Sequence, residues 1–179
     1  MKHYVLVLVS FIVFILAGCT SKSSFPLSFD KFTFTFYTTK EYSNQPLNTS
    51  TAGMKVLIEM KEKPGTGTTW LMSSIIIIET PLQSWIDMKT LVASNTEYLK
   101  LKLLKYVPIS TIKKKVKCNT LQYSWYIKTF SYQLDKQTIY GGQYFFTDNK
   151  LVYVISLHTT EKKDTKQFIK SIETIKCIQ

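Results

Sequence analysis

Arginine is absent. All 23 basic residues of the 179-residue chain are lysines, set against 12 acids for a formal net charge of +11. Planar, bidentate recognition of phosphates and guanine edges is arginine chemistry, so no nucleic-acid partner is expected. Histidine is nearly absent as well, with His3 and His158 alone. Cysteine occurs at Cys19, Cys118 and Cys177, with no C-x-x-C pair and no histidine beside Cys118 or Cys177. Neither a zinc site nor a thioredoxin-like centre then has its ligands. The acids are scattered, Asp148 beside Asn149 being the one local oxygen pairing, whereas calcium takes roughly six to eight oxygens. "GTGTT" at 65–69 lacks the lysine of a phosphate-binding loop and joins strand to strand. No metal and no cofactor is expected.

A membrane-spanning run is missing too. The uncharged stretch Tyr4–Ala17 is fourteen residues long, and crossing about 30 Å of hydrocarbon takes roughly twenty. Lys2 ahead of it, the apolar run Tyr4–Ile15 and the small-residue exit Leu16-Ala17-Gly18 make an export signal cut before Cys19. "LAGC", Leu16–Cys19, resembles the lipobox of bacterial lipoproteins. The resemblance implies that the Cys19 thiol is acylated and that signal peptidase II then frees its amino group. Two or three acyl chains, at about 0.8 kcal/mol per buried CH₂, would hold the protein on the extracytoplasmic face of a bacterial cell membrane.

What remains after residues 1–18 is one domain's length. The apolar fraction of 45% and aromatic fraction of 14% place it among folded chains. Loss of Lys2 leaves the mature chain at about +10, a surface drawn to anionic lipids or cell-wall polyanions unless the lysines are a solubilising coat. With Cys19 acylated, Cys118 and Cys177 form an even pair in an oxidising or glutathione-free space, which reads as a disulfide. Two separate buried thiols are the alternative.

"TSKSSFPLS", Thr20–Ser28, reads as a Ser-rich tether, so residues 19–28 are taken as the lipidated spacer and 29–179 as the domain. Phe32, Phe34 and Phe36 alternate with Thr33 and Thr35, the period of a half-buried strand. "MKVLIEMKEK" and "TWLMSSIIIIETP" flank a Gly/Pro turn as a hairpin. Ile75–Ile78 is apolar on both faces, which calls for cover on both sides of the sheet. A helix is predicted from a Ser84 cap to about residue 104, with Trp85, Met88, Leu91, Val92, Leu99 and Leu103 on its apolar stripe. Strands over 109–118, 120–133, 137–147 and 150–159 follow as an antiparallel meander. A closing helix capped by Asp164 carries the stripe Phe168, Ile172, Ile175 and ends before Cys177. Lys113, Lys115 and Lys117 fall on one face of their strand, predicted to be solvent-exposed, and Cys118 on the other.

This order of elements resembles the PsbP-like family, including its DcrB-type bacterial lipoproteins, over roughly 29–177. "KCNTLQYSWYIKTF" and "GGQYFFTDNKLVYVISLHTTEKKDTKQFIKSIETIK" carry the likeness; Asn119 stands where the family has glycine. The resemblance implies an α+β fold, an α/β/α sandwich with a central antiparallel sheet flanked by helices, and binding or assembly roles rather than chemistry.

Ser156 and His158 lie two apart on one strand, the sole nucleophile-plus-base hint, and no orienting acid accompanies them. The Tyr-rich segment 123–153 can line a ligand groove or simply pack. The reading is a membrane-anchored, non-catalytic binding or assembly module with an unidentified envelope protein partner. A lysine- and tyrosine-based binder of anionic membranes, cell-wall polymers or a small ligand is the alternative, and a hydrolase the lesser one.

Overall fold

The computed structural model describes residues 23–30, 32–38, 40–45, 54–63, 74–81, 87–118, 121–147 and 151–177, with backbone alone for 23, 114–118 and 121–124. The predicted signal, the Leu16–Cys19 motif, Ser84, "GTGTT", Asn119 and Asp148-Asn149 lie outside the described residues.

The described residues begin with a hairpin. β1 (Ser23–Phe29) pairs antiparallel with β2 (Phe32–Thr38). The domain thus starts inside the segment read as spacer. "SSFPLSF" alternates Phe25, Leu27 and Phe29 with small polar residues, and Leu27 and Phe29 are buried. Pro26 is tolerated because β1 is an edge strand. Asp30 takes a left-handed conformation at φ 47°, which reverses the chain, and its carboxylate accepts a 2.6 Å hydrogen bond from the Tyr153 hydroxyl.

Next come β3 (Tyr42–Asn44), β4 (Lys55–Glu62), β5 (Ser74–Pro81) and α1 (Met88–Lys102). The meander follows as β6 (Leu104–Cys118), β7 (Leu121–Leu134), β8 (Gln137–Thr147) and β9 (Leu151–Thr159). α2 (Lys162–Ile172) and β10 (Lys176–Cys177) close the chain. Seven strands form one antiparallel sheet in the order β3-β4-β5-β9-β8-β7-β6, and β1-β2-β10 form a second. Asp135 and Lys136, at φ 48° and 65°, make the tight turn from β7 to β8.

Helix α1 starts later than the sequence predicts. Its cap is Asp87, whose Oδ1 accepts from the Thr90 amide at 2.7 Å, and not Ser84. That bond, with the amide ends of the helix, holds the Asp87 carboxyl below its ordinary pKa. The last helix starts earlier than predicted, at Lys162 after Glu161, and Asp164 lies inside it and turns inward rather than capping it.

The large sheet is covered on both faces. One face carries Ile75, Ile77, Trp125, Ile127, Tyr144, Phe146, Tyr153 and Ile155 beneath α2 and the β1–β2 hairpin, which contribute Phe168, Ile172, Phe32, Phe34 and Phe36. On the other, α1 lays Met88 and Val92 on Tyr126, Phe145, Val152 and Val154, and Leu99 on Phe130, Tyr132 and Ile139. This is the α+β, two-sided architecture, with a small sheet added to the α2 layer. One edge of the large sheet is the short β3; the other is β6, where Pro108, two register irregularities and a lysine-rich end oppose pairing with another strand.

Two consecutive glycines let rings close in from both sides. A Cβ on Gly141 would stand 2.3 Å from the Phe130 ring, and one on Gly142 2.6 Å from the Phe168 ring.

Candidate functional site

On the α1 side of the sheet, strand alternation sends Tyr126, Lys128, Phe130 and Tyr132 of β7 toward the helix. A lysine in an otherwise aromatic row is the anomaly. Lys128 is fully enclosed. Its Nζ donates to Asn95 Oδ1 and, at 3.3 Å, to Thr96 Oγ1 of α1, and lies 5.7 and 5.6 Å from the Phe130 and Phe145 ring centres. No carboxylate among the described residues is in ion-pair reach of it. Burial disfavours the charged amine and lowers its pKa to about 8.

Lys128 stands opposite Gln143, and Gln143 opposite Ser156, so a polar row crosses β7, β8 and β9 beneath the helix. Gln143 Oε1 is buried, with no donor among the described residues. Asn95 and Thr96 sit where α1 crosses this row, on a turn otherwise packed through Val92 and Leu99.

One pair further along β9, His158 is partly buried at the mouth of a cleft of ≈ 280 Å³ shared with Ser74, Tyr132, Ile139 and Thr160. The Tyr132 hydroxyl and His158 Nδ1 are 3.2 Å apart, and Phe130 stands edge-on to the imidazole at 6.1 Å. Burial lowers the His158 pKa and raises that of Tyr132. Ser156 and His158 do share a face, as alternation requires, yet the side-chain partner of His158 is a phenol. Among the described residues no carboxylate orients the ring, which a serine nucleophile's base requires.

A second polar cluster ties the layers together. Lys40, after β2, lies 3.2 Å from Glu62, 3.5 Å from Glu161 and 3.2 Å from Asp164, and Thr159 Oγ1 donates to Asp164 at 2.7 Å. Burial alone would lower the Lys40 pKa; Asp164 and Glu62 outweigh it and hold it above the ordinary value. This cluster ties the end of β2 to β4 and to the start of α2. No group of three or more histidine, cysteine or acidic side chains placed to hold a metal occurs among the described residues.

Of the residues singled out in the sequence, Lys113 is exposed, with Nζ 5.6 Å above the Tyr126 ring. The side chains of Lys115, Lys117 and Cys118 are outside the described set; the backbone of Cys118 ends β6 opposite Leu121. Cys177, on β10, lies opposite Phe32 and packs against the core. Lys128, Asn95 and Gln143 were not singled out, although the pattern Tyr126-x-Lys128-x-Phe130-x-Tyr132 carried the signal: one charged residue inside an aromatic alternation.

Neither a family profile nor a curated relative matches the sequence. Solved structures of similar outline include PA94 of Pseudomonas aeruginosa, a protein of unknown function. It is 12% identical, with a TM-score of 0.49 over 84% of this chain and 91% of that one. Another is LpqN, involved in cell envelope biogenesis of Mycobacterium tuberculosis, 11% identical with a TM-score of 0.49 over 89% and 92% of the two chains.

Proposed function

We propose that this chain is an extracytoplasmic lipoprotein, acylated at Cys19, whose domain serves as a non-catalytic binding or assembly module of the bacterial cell envelope. The observation that carries it is the Leu16-Ala17-Gly18-Cys19 motif set four residues before β1 at Ser23. A domain that starts this soon after an acyl-cysteine is held against the membrane rather than suspended from it. Among the described residues, no helix is long and apolar enough to cross a membrane. The His158–Tyr132 pair without an orienting acid favours binding over catalysis, and the two-sided cover of the sheet favours the PsbP-like relation. Replacing Cys19 with serine is expected to abolish incorporation of labelled palmitate and to leave an unprocessed precursor. Undiminished labelling of Cys19→Ser would remove the basis of the reading.

The Cys118–Cys177 pairing belongs to the same proposal. A run of contacts leads from β10 to Lys114 on β6. Cys177 is opposite Phe32, the Phe32 ring stands 4.8 Å from Phe146, and Phe146 stands 5.5 Å from Trp125. Trp125 is opposite Lys114, four residues before Cys118. A bond there would close a loop of about sixty residues, constraining the unfolded chain by roughly 4 kcal/mol. Peptide mapping by mass spectrometry without reductant should recover the 118 and 177 peptides linked; Cys118 free to alkylation in the native protein refutes the pairing.

A further inference from the structure

We infer that the outer face of α2 is a docking surface for an anionic lipid bilayer, the one in which the acyl chains of Cys19 are set. The inference rests on the lipoprotein reading above and adds to it the side of the domain that meets the membrane.

The helix "KKDTKQFIKSI" divides by charge. Asp164, Thr165, Phe168, Ser171 and Ile172 are buried, and the exposed positions are Lys162, Lys163, Lys166 and Lys170. Its one acid, Asp164, points inward to Lys40 and Thr159. Lys163 is paired with Glu161 at 2.6 Å. Lys162, Lys166 and Lys170 have no acidic partner among the described residues. Among other exposed lysines, Lys61 lies beside Glu59, Lys63 beside Glu41 and Lys100 beside Glu97.

The same face adjoins the point where the tether enters. Lys170 Nζ lies 5.5 Å above the Tyr37 ring, and the Tyr37 amide donates to Ser171 Oγ at 2.8 Å. Tyr37 is the cross-strand partner of Ser24, the second residue of β1. The four residue steps from Cys19 to Ser23 span at most about 14 Å when fully extended. The acyl anchor therefore keeps this end of the domain near the headgroups, where the field of an anionic leaflet, screened over ~8 Å at physiological salt, acts on the face turned toward it. A second copy of the chain is a poor occupant, since it would present the same uncompensated charge. An anionic leaflet neutralises each lysine and strengthens partitioning about fivefold per residue, so roughly a hundredfold for the three.

The test uses the full chain on vesicles of pure phosphatidylcholine and of phosphatidylcholine with 30% phosphatidylglycerol. Flotation on the neutral vesicles reads the acyl anchor alone. Amine-reactive labelling of the bound protein then reads the face. Lys162, Lys166 and Lys170 are expected to lose reactivity several-fold on the anionic vesicles, with 0.5 M salt restoring it, while Lys89 and Lys102 on α1, across the sheet, keep theirs. Equal labelling of the α2 lysines on both vesicle types overturns the inference while leaving the anchor intact. A chain that fails to float on neutral vesicles refutes the anchor. Flotation on anionic vesicles alone, lost in the Lys162→Gln/Lys166→Gln/Lys170→Gln variant, would still uphold the face, and binding to neither refutes both.

Discussion

Gly142→Ala should destabilise the domain by about 3 kcal/mol, and Gly141→Ala by a similar amount, although alanine has the better strand propensity. Gly142 carries no unusual φ, so the cost is steric. Its new methyl would stand 2.6 Å from Phe168 Cδ1 and 2.8 Å from Cε1. Phe168 has no room to give way: it is fully buried in the cluster with Trp125, Tyr144 and Phe146, and it is the anchor of α2 on the sheet. At Gly141 the ring is Phe130, also fully buried, with Tyr106 at 5.3 Å and Tyr132 at 6.3 Å. The two clashes lie on opposite faces, so the pair of substitutions should add. Phe168→Leu should instead couple with Gly142→Ala and recover part of its loss, about 1 kcal/mol or more in a double-mutant cycle. Urea denaturation of the four proteins measures this. A Gly142→Ala loss below about 0.5 kcal/mol, or strict additivity with Phe168→Leu, would mean that the close approach is not what holds α2 in place.

Lys128→Met should stabilise the protein at pH 7 by about 1–3 kcal/mol, because it replaces a buried amine lacking a counter-charge with an apolar chain of similar length. Asn95 is only partly buried, so water can replace the lost partner. The pH dependence identifies the cause. With a folded pKa of about 8 against the ordinary 10.5, the unfolded state binds more protons across that window. Wild-type stability therefore gains from this group as pH rises from about 8 to 10.5, and the cost is fully present below 8. The methionine variant has no such gain. Its advantage should shrink with rising pH, by up to about 3 kcal/mol. The groups facing Lys128, namely Asn95, Thr96, Gln143, Phe130 and Phe145, do not titrate in this range, so the difference between the two proteins isolates the amine. A pH-independent difference, or a large loss at pH 7, would show that the Asn95 and Thr96 bonds fully compensate the charge.

The parts of the fold legible in the sequence were those with a clean period. Alternation in β2, β4, β5 and the meander placed those strands within a few residues, and the stripe Phe168–Ile172 placed the last helix. β1 was illegible because serine and proline filled its outward positions, leaving a strand that looks like a spacer. β3 and β10 are too short to show a period at all. The start of α1 was misplaced because two acceptable caps, Ser84 and Asp87, stand three residues apart, and sequence alone does not say which carboxylate or hydroxyl reaches an amide. At the candidate site, His158 and Ser156 were visible from spacing, but the partner of His158, Tyr132, comes from two strands away. The sequence shows Lys128 as one charge inside an aromatic row, but that α1 covers it with an amide and a hydroxyl instead of an acid is visible only in the fold.

The hydrogen bonds that seat α2 beside β2 bear on when the protein can fold. The Tyr37 amide is held by Ser171 Oγ, and the Thr35 amide by Thr174 Oγ1 at 2.8 Å, across sequence separations of 134 and 139 residues. β10 completes the same edge by pairing Lys176 with Thr33 and Cys177 with Phe32. The first hairpin therefore has no finished edge until the last residues of the domain have been synthesised. Loop closure on that scale makes docking of the layer a late and slow event. A chain threaded outward from its amino end would emerge without its native core and complete it only after the final segment had passed, a sequence of events suited to crossing a narrow pore unfolded.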